Sequence, residues 1–343
     1  MTRLDGLTRA LARVPLGQFP TPLEAAPRLA AQLGSAPLWV KREDQSGLAL
    51  GGNKPRQLEF LMAAAIADGA QAVITTAAVQ SNFCRACAAA GARLGIQVGL
   101  LLRGSGQEEL QGNYLLDVLL GAEVRFIPTA DPYDPRVPVW LDEFVADFAQ
   151  RGIRAQILHL PGATGTLGAA AMVCTGEELA RQFSELAMVP RAVFVAAGSG
   201  LTAAGLALAF KTMGLPTRVV AISVQKDAGF IAPLIAQRAN AAAHLLGLAT
   251  RVDESDFEVD DRFVGAAYGV PTQAGVDAIR LAGRTEGLLL DPVYTGKAFA
   301  GMLAQLREGR WPGSAPLVFF HSGGAPALFA NAAATRALSQ STK

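Results

Sequence analysis

Short apolar runs rich in valine, isoleucine and phenylalanine alternate along most of the chain with longer segments of helical periodicity. Residues 72–76 (AVITT) precede a helical segment over about 82–94. Residues 98–103 (VGLLLR) precede one over about 109–120, and residues 123–128 (EVRFIP) one over about 140–150. Further runs at 192–197, 218–224 and 316–321 each lead into a helix of small residues. Continuous apolar runs between helices of ten or more residues predict βαβ units and a parallel sheet covered on both faces. Loops are predicted at 104–107, which is rich in Gly and Ser, and at 129–138, which carries Pro132, Pro135 and Pro138. No internal repeat or low-complexity tract interrupts the pattern.

In such sheets ligands collect at the C-terminal ends of strands, beside helix N-termini. Four places fit that position. They are TTAAVQSN (75–82), AAGSGLT (196–202), DPVYTGK (291–297, after the apolar run 288–290) and HSGG (321–324).

Composition narrows the class. With 343 residues, 51% of them hydrophobic, the chain has ample core for two domains or for one large α/β unit with a subdomain. Thirty Lys and Arg against 29 Asp and Glu show no polyanion-binding excess, which argues against nucleic acid as a partner. The three cysteines, Cys84, Cys87 and Cys174, are too few for a disulfide framework and fit a reducing, cytoplasmic setting. Cys84 and Cys87 have CxxC spacing but lack the second pair of a zinc site, so they read as small buried thiols and no metal is expected. The N-terminal residues lack the apolar core of a signal peptide; their arginines leave a weak transit-peptide reading, which Asp5 opposes. The uncharged window 192–210 is long enough to span a membrane, but its glycines read better as a buried strand, a glycine turn and a buried helix.

Gly198-Ser199-Gly200-Leu201-Thr202, between strand and helix, is an anion site in which glycine lets the anion approach free N–H groups. It also matches the dinucleotide pattern GxGxxA, a weak signal alone. No acidic residue for a ribose stands at the end of the next strand (Ile222 to Gln225), which favours a phosphate monoester over a dinucleotide or a purely structural turn. Lys54 follows two glycines and Asn53 and opens a helical pattern. Most lysines are solvated; one desolvated at such a turn has a lowered pKa and can form a Schiff base.

These segments together resemble a known family. KREDQSGLALGGNK, VQSNFCR, GSGLTAAGL, AYGVPT, DPVYTGKAFAGM and HSGGAPALFA occur in the order found in the fold-type II pyridoxal phosphate (PLP) enzymes that include D-cysteine desulfhydrase, 1-aminocyclopropane-1-carboxylate deaminase and L-cysteate sulfo-lyase. The likeness runs from FPTPLE (19–24) to GGAPALFA (323–330). It implies a tryptophan synthase β-like α/β fold with two open, twisted, mostly parallel sheets. A large PLP-binding domain would take residues 1–54 and 166–343, and a small α/β domain residues 55–165. It implies that Lys54 holds PLP and moves the α-proton, and that Asn82 bonds the ring hydroxyl. Ser81 and the backbone after it, with Phe83 beside them, would meet the substrate carboxylate. Gly198, Ser199, Gly200, Leu201 and Thr202 would hold the phosphate. Tyr268 and Tyr294 would stand near the substrate, and Ser322 would face the pyridine nitrogen. Taken alone, Tyr294 reads more readily as a core tyrosine with a satisfied hydroxyl and Ser322 as a strand-end turn residue; the neighbouring motifs favour a site role for both.

The resemblance implies a lyase or deaminase acting on a small amino acid, most closely β-elimination from D-cysteine to pyruvate, ammonia and sulfide, by a cytoplasmic homodimer without membrane contact. Sulfite elimination from cysteate, ring-opening deamination, and PLP binding with little catalysis are the alternatives; a nicotinamide oxidoreductase is disfavoured by the missing acid. Phe83 departs from the family, standing where a polar residue such as His or Gln is expected. Leu201 stands where a small residue is usual, and Pro55 follows the lysine. Thr295 in YTGK replaces the glutamate expected of the deaminases and points to the desulfhydrase and sulfo-lyase branch. The motifs carry no obvious extra arginine for a sulfonate.

Overall fold

The computed structural model describes residues 6–162, 164–331, 336 and 338. Its strands are β1 (Leu23–Ala25), β2 (Leu38–Lys41), β3 (Ala72–Ala78), β4 (Gln97–Arg103), β5 (Glu123–Ile127), β6 (Ala155–Ile157), β7 (Ala192–Ala197), β8 (Arg218–Ser223), β9 (Phe257–Asp260) and β10 (Leu317–Phe320). The helices are α1 (Pro27–Leu33), α2 (Lys54–Ala67), α3 (Asn82–Leu94), α4 (Gly112–Leu119), α5 (Val137–Gln150), α6 (Gly165–Glu185), α7 (Leu201–Thr212), α8 (Ala228–Leu245), α9 (Gln273–Glu286), α10 (Thr295–Arg307) and α11 (Pro326–Phe329).

Two sheets result. One has six strands in the order β1-β2-β10-β7-β8-β9, parallel except for β1; the other has four parallel strands in the order β5-β4-β3-β6. The crossover order explains the sequence pattern. Residues 192–195 of β7 and 72–76 of β3 are buried on both faces, because helices cover both sides of a parallel sheet. The six apolar runs at 72–76, 98–103, 123–128, 192–197, 218–224 and 316–321 each form a strand, with ends shifted by a residue or two. β1, β2, β6 and β9 were not anticipated; at three or four residues each they are too short to show a period. The run 288–290 forms no strand. It is an irregular connector with Leu289 60% exposed, so its apolar character reflects docking of Leu288 and Leu290 alone. Pro138 lies in the first turn of α5 rather than in the loop, a position where its missing N–H costs nothing. The window 192–210 is β7, a glycine turn and buried α7, and no helix among the described residues is long and apolar enough to cross a membrane.

Helix α2 is buried on nearly every face, including Arg56, Gln57 and Glu59. Buried charges have to be paired, and they are. Arg56 Nε and Nη2 donate to Glu43 Oε2 and Oε1 (2.7 and 2.8 Å), and Nη2 also to Glu178 Oε1 of α6 (2.7 Å). Lys41 of β2 donates to the same Glu178 oxygen, to Thr21 O (2.7 Å) and to Gln182 Oε1 (2.8 Å). Glu59 accepts from the backbone N–H groups of Leu16 and Gly17 (2.8 and 3.1 Å). Burial alone would raise the Glu178 pKa, but Arg56 and Lys41 beside it hold it below the usual carboxylate range. Glu178→Ala strips the shared counter-charge from two buried cations. It is expected to lower unfolding free energy by about 3–5 kcal/mol, read as a lower urea midpoint at unchanged slope.

Candidate active site

The C-terminal ends of the two sheets face a common cavity of about 130 Å³. The six-stranded sheet contributes Gly198, Ser199, Gly200, Leu201 and Thr202 after β7, and Ser322 after β10. The four-stranded sheet contributes Ser81, Asn82 and Phe83 after β3 and Arg103 at the end of β4. Lys54 enters at the start of α2, and Tyr268 and Tyr294 complete the lining. Every site residue named from the sequence therefore reaches the same cavity.

Lys54 is the first residue of α2, with Pro55 behind it in a turn where proline fits. The turn before it is tied on several sides. Asn53 N donates to Ser322 O (3.1 Å), Gly52 N to Glu43 O (2.9 Å), Ser46 Oγ to Gly52 O (2.6 Å) and Arg85 Nη2 to Gly51 O (2.9 Å). Gly52 and Gly323 both have positive φ and pack so closely that a Cβ on Gly323 would lie 2.6 Å from Gly52 Cα. Glycine is required there to bring Ser322 beside the lysine turn. The Lys54 amine has no hydrogen bond or ion pair among the described residues, and burial lowers its pKa to about 8.

The loop after β7 is shaped for an anion. Gly200, at φ +76°, sits before α7, and no side chain caps the helix, so its first N–H groups lack intrahelical partners. A Cβ on Gly200 would lie 2.7 Å from Ile235 Cγ1, and one on Gly198 3.2 Å from the Tyr294 ring. Leu201 turns away into the core, where Gly168 makes room: a Cβ at that glycine would lie 3.2 Å from Leu201 Cδ1. Arg238 holds Ser199 O from behind. Thr202 Oγ1 accepts from Asn53 Nδ2 (2.9 Å), which couples this loop to the lysine turn.

Opposite, Ser81 is the N-cap of α3, its Oγ accepting from Phe83 N (3.1 Å) and Cys84 N (3.2 Å). The hydroxyl proton remains to donate. Asn82 Oδ1 accepts from Asn113 Nδ2 (3.0 Å), and Asn113 is itself held by Gln80 through its backbone and side chain (2.8 and 2.9 Å). That bond fixes the Asn82 amide so that its N–H₂ is left as a donor. Phe83 is buried and lines the cavity wall, so it is both a packing and a site residue. The hydroxyls of Tyr268 and Tyr294 are hydrogen-bonded to each other. Burial raises both phenols above their ordinary pKa, Tyr294 well above it. The pair stays protonated at neutral pH, and two O–H groups sharing one mutual bond leave one proton to donate.

Sequence reasoning missed the supports. Asp291 opens the DPVYTGK turn and accepts from the N–H groups of Val293, Tyr294 and Thr295 (2.8, 2.7 and 2.9 Å), which aims Tyr294 at the cavity. Thr295 is buried and donates its hydroxyl to Asp291 (2.7 Å); it does not line the cavity. Asn113 lies outside every quoted segment and Arg103 only ends a quoted strand-like run, and the tertiary pairing of β3 with β4 and α3 with α4 brings them in. Cys84 and Cys87 are buried in α3, and burial raises both thiols, Cys87 to about 12.

An amine whose pKa burial lowers and an anion cradle on one cavity suit a phosphorylated aldehyde. The comparisons with known proteins agree. The family described as pyridoxal-phosphate dependent enzyme matches residues 14–323. A D-cysteine desulfhydrase of Klebsiella pneumoniae (strain 342) is 37% identical over 95% of this chain and 98% of its own. One of Salmonella choleraesuis (strain SC-B67) is 36% identical over 95% and 98%. A solved structure described as an ACC deaminase homologue superimposes with a TM-score of 0.86 at 33% identity, covering 96% of this chain and 97% of the other. The chain belongs to the pyridoxal-phosphate dependent enzymes of fold type II, and its cofactor is PLP. Within that class it is a lyase of the D-cysteine desulfhydrase and ACC deaminase family.

Gly200→Leu is expected to weaken PLP retention at least tenfold, because the side chain meets Ile235 and strains a positive φ; Thr202→Ala, which loses one bond to Asn53, is expected to weaken it less. Equilibrium dialysis against PLP checks both. Lys54 reacts as the neutral amine, so PLP loading of the apoprotein is expected to accelerate as pH rises through about 8 and then level off. An exposed lysine would go on gaining toward about 10.4. Stopped-flow growth of the cofactor absorbance distinguishes the two.

Proposed function

We propose that the chain catalyses β-elimination from a D-cysteine-like amino acid, giving pyruvate, ammonia and sulfide. The observation that carries the reading is the convergence of an unpaired low-pKa lysine, an anion cradle and a protonated tyrosine pair on one cavity. The curated relatives named D-cysteine desulfhydrase support it. PLP, when bound, supplies the electron sink that acidifies the substrate's α-proton.

The chain's own residues do the rest. Gly198, Ser199, Gly200, Leu201 and Thr202 hold the phosphate. Lys54 would hold the cofactor and, as a free amine, would take the α-proton. Asn82, fixed by Asn113, donates to the ring hydroxyl. Ser322 faces the pyridine nitrogen with a neutral hydroxyl, which suits elimination because it does not enforce a protonated ring. The Ser81 hydroxyl and the free N–H at the start of α3 receive the α-carboxylate. Tyr294 and Tyr268 present one O–H toward the leaving group. Phe83 gives the carboxylate wall an apolar ring in place of a donor and so bears on substrate choice.

Elimination of sulfite from cysteate uses the same residues, and Arg103 in the lining favours it as a second reading. Ring-opening deamination fits less well, since Thr295 faces Asp291 rather than the cavity. With this reading go a large domain of residues 1–54 and 166–343, a small one of 55–165, a homodimer and a cytoplasmic location, the last supported by three free cysteines.

The test has two parts. Borohydride reduction of the yellow protein, followed by peptide mapping, is expected to place the label on Lys54. Pyruvate formation is then compared on D-cysteine, β-chloro-D-alanine, L-cysteate and aminocyclopropane carboxylate, and Lys54→Ala is expected to lower turnover by at least a thousandfold. A label on another lysine, or no pyruvate from any of the sulfur or chloro substrates, overturns the reading.

A further inference from the structure

Asp44, of the KREDQSG segment, and His321, of HSGG, face each other behind the lysine turn, and neither lines the cavity. His321 directly follows β10 and is 1% exposed. Its backbone prolongs the sheet: His321 N donates to Lys41 O (2.9 Å), and His321 O accepts from Asp44 N (3.0 Å). Its side chain reaches forward along the chain. Nδ1 accepts from Gly323 N (3.3 Å), so the imidazole closes a tight turn around Ser322, the cavity residue between them. At the other edge of the ring, Nε2 stands 3.8 Å from Asp44 Oδ2.

That turn carries part of the site. Ser322 O accepts from Asn53 N (3.1 Å), the residue before Lys54, and Gly323 packs on Gly52 where no Cβ fits. Gly323 and Gly324 both have positive φ and bring no side chain to anchor the turn, and glycine has the most conformational freedom to lose. Among the described residues, His321 is the one side chain that accepts from a backbone N–H of residues 322–324.

The geometry also sets the ring's protonation state. Because Gly323 N–H donates to Nδ1, that nitrogen carries no proton, and the ring's single proton sits on Nε2, toward Asp44. A second proton, on Nδ1, would set two N–H groups against each other. Burial lowers the His321 pKa to about 4; Asp44 and the Leu289 carbonyl pull it up, and Arg42 pushes it further down. Asp44 and Arg42 are bonded to each other (3.0 and 2.8 Å). Lys41 and Glu43, on the same segment, are engaged with Glu178 and Arg56, and Asp291, on the connector that follows Leu289, accepts from residues 293–295. The Phe319 ring, 6.4 Å away between centroids, covers another side.

We propose that His321 is a positioning residue: as the neutral Nε2–H tautomer it closes the turn at residues 321–323 and through Ser322 fixes the lysine turn against the cofactor, so that protonating the ring loosens the hold on PLP. The inference needs PLP in this cavity and is independent of which group leaves the substrate. The direction of the pH effect follows from the two states of the turn. Closed, it keeps the proton off until about 4. Opened to water, the ring takes a proton near the ordinary histidine value of about 6.5. Lowering the pH through that window therefore favours opening, and going below about 4 adds nothing more.

The experiment reads the ring first and the cofactor second. NMR of the holoenzyme labelled with 15N-histidine reports tautomer and charge; the chain has three histidines, and the signal lost in His321→Asn assigns this one. The Nε2–H form, still neutral at about pH 5.5, is expected. An Nδ1–H tautomer, or an imidazolium at neutral pH, overturns the proposal. Equilibrium dialysis against PLP then ranks three variants. His321→Asn keeps an acceptor near the Nδ1 position, His321→Gln reaches only the Nε2 position, and His321→Phe keeps the ring's packing with no acceptor. At neutral pH, Phe and Gln are expected to weaken PLP retention about tenfold and Asn by about threefold or less. On acidification the wild type is expected to lose PLP more steeply than His321→Asn, which has no proton to gain. A residue that only packs predicts the reverse order, with Phe the better substitute. Phe holding PLP as well as Asn, Gln rescuing where Asn does not, or equal acid loss in Asn and wild type overturns the proposal. Should the variants fail to fold, the tautomer of the wild type and its titration decide, with assignment by the titration of the two other histidines in His159→Gln and His244→Gln.

Discussion

The burial of α2 on nearly every face is the constraint around which the rest is arranged. A helix of this kind exposes no side on which to solvate a charge, so Arg56 and Glu59 have to find partners inside. They draw on Glu43 beside β2, Glu178 from α6 and the backbone near Leu16, which pins the start of the chain, the edge of the six-stranded sheet and α6 to one helix. Breaking that arrangement would leave cations in a dry interior. Lys54 stands one helical position from Pro55 and two from Arg56, yet it is left without a partner among the described residues. The contrast between a paired arginine and an unpaired lysine on the same turn is what makes the lysine amine reactive rather than structural.

The same economy governs the two glycine-rich segments. The turn before Lys54 and the loop after β7 come from distant parts of the chain, and the Asn53–Thr202 hydrogen bond joins them directly. Asn53 N also donates to Ser322 O, so the amine, the anion cradle and Ser322 share one rigid frame. A site built on strand ends and helix starts, rather than on long loops, holds its groups to the tolerances that catalysis needs. The wall opposite is set by α3, whose cap at Ser81 and neighbour Asn113 orient two polar groups that line the cavity.

Much of this was legible from residues alone, and the parts that were not share a cause. Strands such as β3 and β7, buried on both faces, announce themselves as continuous apolar runs; β6 and β9 are too short and half-buried to do so. The run 288–290 misleads because burial of Leu288 and Leu290 does not require strand pairing. Lys54, Ser81, Asn82, the loop at 198–202, the tyrosines and Ser322 lie in glycine-rich or polar stretches at strand ends, where a signal is expected. Arg103 and Asn113 lie in stretches that look like an ordinary strand end and an ordinary helix start.

By itself, the order of apolar runs and helical periods determined a parallel α/β architecture, and the order of the glycine-, lysine- and asparagine-bearing motifs carried the family resemblance that implied which cofactor the chain holds. Both are local properties, set by backbone conformation and by burial that repeats along a strand or helix. Which groups remain unpaired is not local. Only the tertiary structure decided that Thr295 turns to Asp291, that Asn113 locks Asn82, and that Arg103 reaches the cavity with no carboxylate among the described residues to meet it. A side chain's partners come from residues far along the chain, and it is the missing partner, not the residue type, that leaves an interaction for the substrate to make.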